Sequence, residues 1–126
     1  MPFPTLDTRF FVELFGQKDP QQLRKLKDLA KIRSFVSVIT LHELYKMFAE
    51  TEGKAVAEHR VRLLQSTYTI VEVSVEIALS AARLRIHKKL PTADSLIGAT
   101  ALSKEKIVVS DDPHYELIPG LQIKWI

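Results

Sequence analysis

Five carboxylates in this chain stand where chemistry would need them: Asp7, Glu43, Asp94 and the adjacent pair Asp111 and Asp112. Each alone has an ordinary structural explanation. Asp7 could cap a first helix, and Glu43 stands three residues after Thr40 as in a capping box. Asp94 would gain about 0.3–1 kcal/mol from a helix macrodipole, and the Asp111–Asp112 pair could form a turn before Pro113. Brought together they need something else. Two unit charges about 4 Å apart repel by roughly 4 kcal/mol at an effective dielectric near 20, so a rim of acids calls for a cation. Oxygen ligands without thiolates or paired histidines suit Mg²⁺ or Mn²⁺. Held by few carboxylates, such an ion keeps waters, one of which can attack a phosphodiester. The chemistry implied is metal-assisted hydrolysis of a nucleic-acid backbone.

The elements that must position these acids alternate between short apolar runs and longer periodic segments. "FPTL" (Phe3 to Leu6) predicts a weak first strand, because Pro2 and Pro4 lack ladder donors. A short helix follows through "FFVELF". Asp19 as N-cap and Pro20 at the first helical position open a second helix, with Leu23, Leu26 and Ala30 on one face. "SFVSVI" (Ser34 to Ile39) predicts strand two, after which Thr40 caps a long helix with Leu41, Leu44, Tyr45 and Phe48 inward. That helix breaks near Gly53 and resumes to Gln65. "YTIVEV" (Tyr68 to Val73) is a third strand, and Ser74 begins a helix carrying Ile77, Ala78, Ala81, Ala82 and Leu84. "PTADSLIGATALSK" predicts another helix, "KIVVS" a fourth strand and "LQIKWI" a fifth.

Strands joined by helices predict an α/β fold with a mainly parallel central sheet of four to five strands and helices on both faces. In such sheets, sites form beyond the carboxyl ends of the strands. There Asp7 follows strand one, Glu43 opens the helix after strand two, Asp94 lies in the first helical turn after Pro91, and the aspartate pair follows strand four.

Size and composition bound the rest. A chain of 126 residues with 46% hydrophobic content suits one globular domain. No apolar run approaches a membrane span, and "MPFPTLDTRF" lacks the layout of a signal peptide. The absence of cysteine fits a reducing cytoplasm. The net charge of +3 is modest, but Lys18 to Arg33 holds six basic and two acidic residues. Basic patches beside acid clusters suggest a polyanionic partner. Arg83, Arg85, His87, Lys88 and Lys89 lead into "LPTAD", where a cationic helix end could either guide RNA or simply complement the helix dipole.

The segments "LDTRFFVELF", "SVITLHELYKMF", "LPTADSLIGATAL" and "VVSDDPHYELIPGLQIKWI" together resemble the PIN-domain ribonucleases, in particular the VapC-type toxins of prokaryotic toxin–antitoxin pairs. The resemblance spans nearly the whole chain and implies a single PIN domain over residues 1–126. It implies that Asp7, Asp94 and Asp112 hold Mg²⁺ or Mn²⁺, with Glu43 contributing directly or through water. Thr8 and Ser110 would support the carboxylates or the attacking water. In the fourth motif Ser110, Asp112 and Tyr115 match the family pattern, which leaves Asp111 as its variable middle residue. If Asp94 binds the metal, Arg83, Arg85, Lys88 and Lys89 lead to the scissile phosphate, where some of them could guide an RNA substrate. The resemblance also implies an endoribonuclease leaving a 3′-hydroxyl and a 5′-phosphate, an antitoxin partner and a homodimer. Phe10, Phe11, Leu14 and Phe15 would be mostly core, with some forming a groove for an antitoxin helix or a dimer face. The family's usual apolar first strand is here interrupted by proline, and Ser110 stands where threonine is common.

Other readings fare worse. His42–Glu43 lacks the second histidine of a zinc protease, since Lys46 holds that position. His59, His87 and His114 are too scattered for a histidine zinc site. "GKA" at Gly53 lacks the spacing of a phosphate-binding loop, and no nucleophile elbow is present. A receiver domain would need an acid pair after strand one and a lone aspartate after strand three, where this chain has Ser74. Two alternatives keep the same fold. One is a PIN-like module that binds RNA or protein without cutting, which the full set of acids disfavours. The other is an RNA-processing nuclease with no antitoxin.

Overall fold

The computed structural model describes residues 2–126. Its centre is a five-stranded parallel sheet in the order β3-β2-β1-β4-β5. The strands are β1 (Thr5–Leu6), β2 (Phe35–Ser37), β3 (Thr69–Val71), β4 (Ile107–Ser110) and β5 (Gln122–Trp125). The helices are α1 (Thr8–Gly16), α2 (Pro20–Ala30), α3 (Val38–Glu52), α4 (Lys54–Thr67), α5 (Val75–His87) and α6 (Thr92–Ser103), with a 3₁₀ turn at Pro113–Leu117.

The chain builds outward from β1 to β3, then returns across the sheet to lay β4 on the other side of β1. The connection therefore reverses direction between β1 and β4. Thr5 pairs with Phe35 on one side and Val108 on the other. Pro4 cannot donate to the ladder, but its carbonyl accepts from Phe35 N–H at 2.9 Å, so the strand is short without being loose.

Alternation along β4 divides the core. Val109 packs with Leu6, Phe10, Phe11, Leu44 and Phe48 on the side of α1 to α4. Val108 packs with Ile97, Tyr115 and Ile118 on the other, where α6 lies. Successive strand residues point to opposite faces, so the run "IVV" serves two cores at once. Gly98 permits the close approach of α6, since a Cβ there would collide with the Ile118 side chain.

Three expectations are corrected. β2 ends at Ser37, and the cap of α3 is Ser37, whose Oγ accepts from Ile39 N–H at 3.1 Å. Thr40 is therefore buried inside the helix, and Glu43 falls in its second turn. The pairing of β2 with β3 runs out at Ser37↔Val71, which leaves the β-branched Val38 and Ile39 free to join the helix. β3 is shorter than predicted, and α4 runs on to Thr67, with Tyr68 as its C-cap. On α5, Ile77 and Ala81 are buried as expected, while Ala78 and Ala82 are exposed.

Candidate active site

In open parallel sheets a site forms where the strand order reverses, beyond the carboxyl ends of the strands. Here that point lies between β1 and β4. Asp7 leaves β1 there, and Ser110 and Asp112 leave β4. Asp7 is only 2% exposed. It caps α1 weakly, accepting from Arg9 N–H at 3.4 Å, and so combines the structural role with a place in the site.

Hydroxyls hold the Asp7 carboxylate from both sides. Ser110 Oγ donates to Oδ2 at 2.7 Å, and Tyr115 OH donates to Oδ1 at 2.8 Å. Ser110 Oγ also accepts from Asp112 N–H at 3.0 Å, so one hydroxyl ties two acids of the site together. Burial pushes the Asp7 carboxyl above its ordinary range, against the pull of these donors. Burial and the three nearby aspartates Asp7, Asp94 and Asp112 push the Tyr115 phenol far above its ordinary value, so it remains a neutral donor.

Asp94 arrives from the first turn of α6. Its carboxyl is pushed up to about 7, first by burial, then by the adjacent Asp112 carboxylate, then by the charge of Asp7. Three acids from β1, α6 and the β4 exit thus act on one another. Among the described residues, no lysine or arginine forms an ion pair with Asp7, Glu43, Asp94 or Asp112.

Glu43 stands at the edge of this group. Thr8 Oγ1 donates to its Oε1 at 2.6 Å and lies 3.3 Å from Thr40 Oγ1. Thr8 follows Asp7 directly, so its hydroxyl bridges the buried acid's neighbourhood to α3. A groove of about 580 Å³ runs beside Glu43, lined by Ile39, His42, Lys46, Thr92 and Leu96.

Asp111 has a separate role. Arg9 Nε and Nη2 grip its two oxygens at 3.0 and 3.2 Å. Arg9 holds the Asp111 carboxyl below its ordinary range. The adjacent aspartates therefore do not share one site: Asp112 faces the acids and Asp111 faces a guanidinium.

His114 was missed from the sequence. Its Nδ1 lies 2.9 Å from Asp112 Oδ1 and 3.0 Å from Asp94 Oδ2, buried, yet it forms no hydrogen bond of good geometry. Ligand atoms of Asp94, Asp112 and His114 all fall within 4.8 Å of one another. A buried nitrogen without a proper partner beside two carboxylates fits a cation-binding position. The only sequence signal was its place two residues after Asp112, inside the fourth motif.

The basic residues assigned to RNA divide. Arg83 lies alongside Ala99 and Ser103, well along α6 from Asp94. Arg85 Nε donates to the Leu90 carbonyl at 3.0 Å. Lys88 and Lys89 are exposed in the link between α5 and α6, just ahead of Asp94. Lys46, which was not singled out, lines the groove beside Glu43.

A parallel sheet carrying acids at its reversal point defines a class of α/β domain with a candidate metal-dependent site. The chain belongs to the PIN domain family, whose family model matches residues 5–121. Among solved structures it is similar to VapBC2 from Rickettsia felis, bound to a DNA fragment from its promoter, with 20% identity, a TM-score of 0.80 and 98% of each chain covered. It is also similar to a toxin–antitoxin complex from Klebsiella pneumoniae, with 26% identity, a TM-score of 0.75 and 94% of each chain covered. A third is the sarcin–ricin-loop-cleaving toxin VapC20 of Mycobacterium tuberculosis, with 15% identity, a TM-score of 0.69, and 82% and 85% of the two chains covered. No curated protein matches the chain. No helix among the described residues is long and apolar enough to cross a membrane.

Proposed function

We propose that this chain is a divalent-metal-dependent endoribonuclease, the VapC-type toxin of a toxin–antitoxin pair acting in the cytoplasm. The observation that carries this reading is the mutual approach of Asp7, Asp94 and Asp112 at the sheet's reversal point, with no lysine or arginine paired to them among the described residues. Asp7, Asp94 and Asp112 would hold Mg²⁺ or Mn²⁺, with Glu43 at the edge of the set. His114 Nδ1 adds a nitrogen donor, which Mn²⁺ accepts more readily than Mg²⁺. Such an ion supplies an acidified water and offsets charge building on the phosphate.

The chain's own residues do the positioning. Ser110 and Tyr115 fix Asp7, and the Ser110 hydroxyl sets the Asp112 backbone. Glu43, held by Thr8, faces the groove as a base for a water's proton. Lys46, Lys88 and Lys89 would attract the RNA backbone. The antitoxin reading rests on a second apolar groove of about 400 Å³ between α1, α2 and α4. Phe11, Leu14, Phe15, Leu63 and Tyr68 line it, with Lys27 and Lys31 at its rim, which suits an amphipathic helix with acidic flanks. A homodimer completes the assembly.

The test is cleavage of structured RNA with Mn²⁺ or Mg²⁺. EDTA should stop it, and Asp7→Asn should abolish it while leaving the circular dichroism spectrum unchanged. Metal-dependent cleavage undiminished in Asp7→Asn would overturn the assignment. RNA binding without cleavage in the wild-type chain would favour a binding module.

A further inference from the structure

Helix α3 turns Ile39, Glu43, Met47 and Glu50 toward the start of α6, where Ala93 and Leu96 stand opposite. Steps of four, four and three residues keep one stripe in line along a helix. The groove of about 580 Å³ between the two helices is therefore walled by Ile39, Met47, Ala93 and Leu96. Ile39, Met47 and Leu96 are half-buried, and each belongs to the margin of a different core cluster. The groove follows the seam where those clusters meet, and none of the three closes it.

Its head opens on the acids. Glu43 lies in the groove wall, and Ala93 immediately precedes Asp94. A molecule held at the acids by one end therefore reaches the groove with the next part of itself. A phosphate does not suit that space, because its charge would lose water against four apolar side chains and would face Glu43 and Glu50. A nucleobase suits it, being neutral, flat, apolar on both faces and polar at its edge. A thioether packs well on an aromatic ring, and Met47 presents one. His42 and the ion pair of Lys46 with Glu50, 3.0 Å apart, are exposed beside the groove as donors and acceptors for a base edge. Pockets of about 300–1,000 Å³ are usual for small organic ligands, so one base with its ribose fits.

We propose that the groove between α3 and α6 holds the unpaired base of the nucleotide next to the phosphate bound at the acids, with Met47 on one face and Leu96 on the other. The substrate is then single-stranded at that nucleotide, because a base can enter such a groove only after leaving its stack. This rests on the nuclease reading and makes Met47 and Leu96 substrate-binding residues that stand apart from the metal.

The test is nuclear magnetic resonance on the full chain in Mg²⁺, with methionine ¹³C-labelled at its methyl group. The chain has two methionines, Met1 and Met47, and Met47→Leu identifies the groove signal by its loss. The probes are the 5′- and 3′-monophosphates of the four ribonucleosides. Ribose 5-phosphate is the control that carries a phosphate and no base. At least one nucleotide should move the Met47 methyl upfield, as a ring stacked on it does, and bind at least about tenfold tighter than ribose 5-phosphate. Leu96→Ser, checked for folding by circular dichroism, should weaken that nucleotide at least about fivefold and leave ribose 5-phosphate unchanged. With the wild-type chain, removing the base beside the cleaved bond of an oligoribonucleotide should lower kcat/KM at least about tenfold. Nucleotides that bind no tighter than ribose 5-phosphate overturn the proposal, even where the same sample cuts RNA and the nuclease reading stands. A Met47 signal that moves with protein concentration and not with nucleotide also overturns it, since a second copy would then fill the groove. A nucleotide stacked on Met47 in a chain that cuts no RNA supports the base site and removes the nuclease reading instead.

Discussion

Replacing Asp94 with asparagine should stabilise the metal-free protein while removing its response to metal. Asp94 is pushed up to about 7 by burial and by Asp112 and Asp7, against an ordinary value of 3.8. The folded chain therefore holds a proton between about pH 4 and 7 that the unfolded chain has released. By linkage, stability falls as pH rises through that window and levels off above it. For a carboxyl sealed from water, the displacement would correspond to about 4 kcal/mol. Solvent access and the coupling to Asp112 reduce this to about 1–2 kcal/mol. The neutral amide of the Asp94→Asn variant carries no such penalty. In EDTA at pH 8 the variant should melt roughly 3–8 °C above wild type, with the gain vanishing near pH 4. Excess Mn²⁺ should reverse the order, since metal at a hundredfold its Kd stabilises only the wild-type fold, by about 2.7 kcal/mol. Thermal melts followed by circular dichroism at several pH values, with and without Mn²⁺, read both effects. A variant less stable than wild type in EDTA at pH 8, or a gain independent of pH, would refute the electrostatic reasoning.

Other changes separate the roles of neighbouring residues. Tyr115→Phe removes the hydroxyl on Asp7 Oδ1 and should cost about 1–3 kcal/mol in denaturant titrations, because a buried carboxylate loses a partner. Asp111→Asn breaks only the solvent-exposed pair with Arg9. It should change stability by less than about 1 kcal/mol and leave Mn²⁺ affinity, measured by calorimetry, within about threefold. Loss of metal binding in that variant would show Asp111 to be a ligand. Gly98→Ala presses a methyl onto the buried Ile118 and should lower stability by about 1–3 kcal/mol, visible as an earlier urea midpoint.

The places of Asp7, Asp94 and Asp112 were legible because each lies at the end of a strand or the start of a helix, and sequence pattern locates those transitions well. Asp7, Asp94 and Asp112 needed only the parallel topology to meet. The start of α3 was harder, because Ser37 and Thr40 are both good caps and Val38–Ile39 reads equally as strand. The choice falls to pairing with β3, which stops at Val71 and lies far along the chain. His114 escaped for a similar reason: its neighbour Asp94 is twenty residues away, and only the fold brings them within 3.0 Å. The Arg83–Lys89 run looked like one basic patch, but a helix distributes its residues around an axis. Arg85 turns to a carbonyl, and Arg83 lies well along α6 from the acids. Ala78 and Ala82 gave no sign of facing outward, since alanine suits either side of a helix.

The position of β4 beside β1 also sets when this site can exist. Residue 5 pairs with residue 108, and Ser110 reaches back across nearly the full chain to Asp7. On a ribosome adding about 5–20 residues per second, the first aspartate waits roughly 5–20 s before its companions are made. Until they emerge, β1 keeps one edge open and the carboxylates remain apart. Whatever these acids do together, a nascent chain cannot do it before residue 112 has been made.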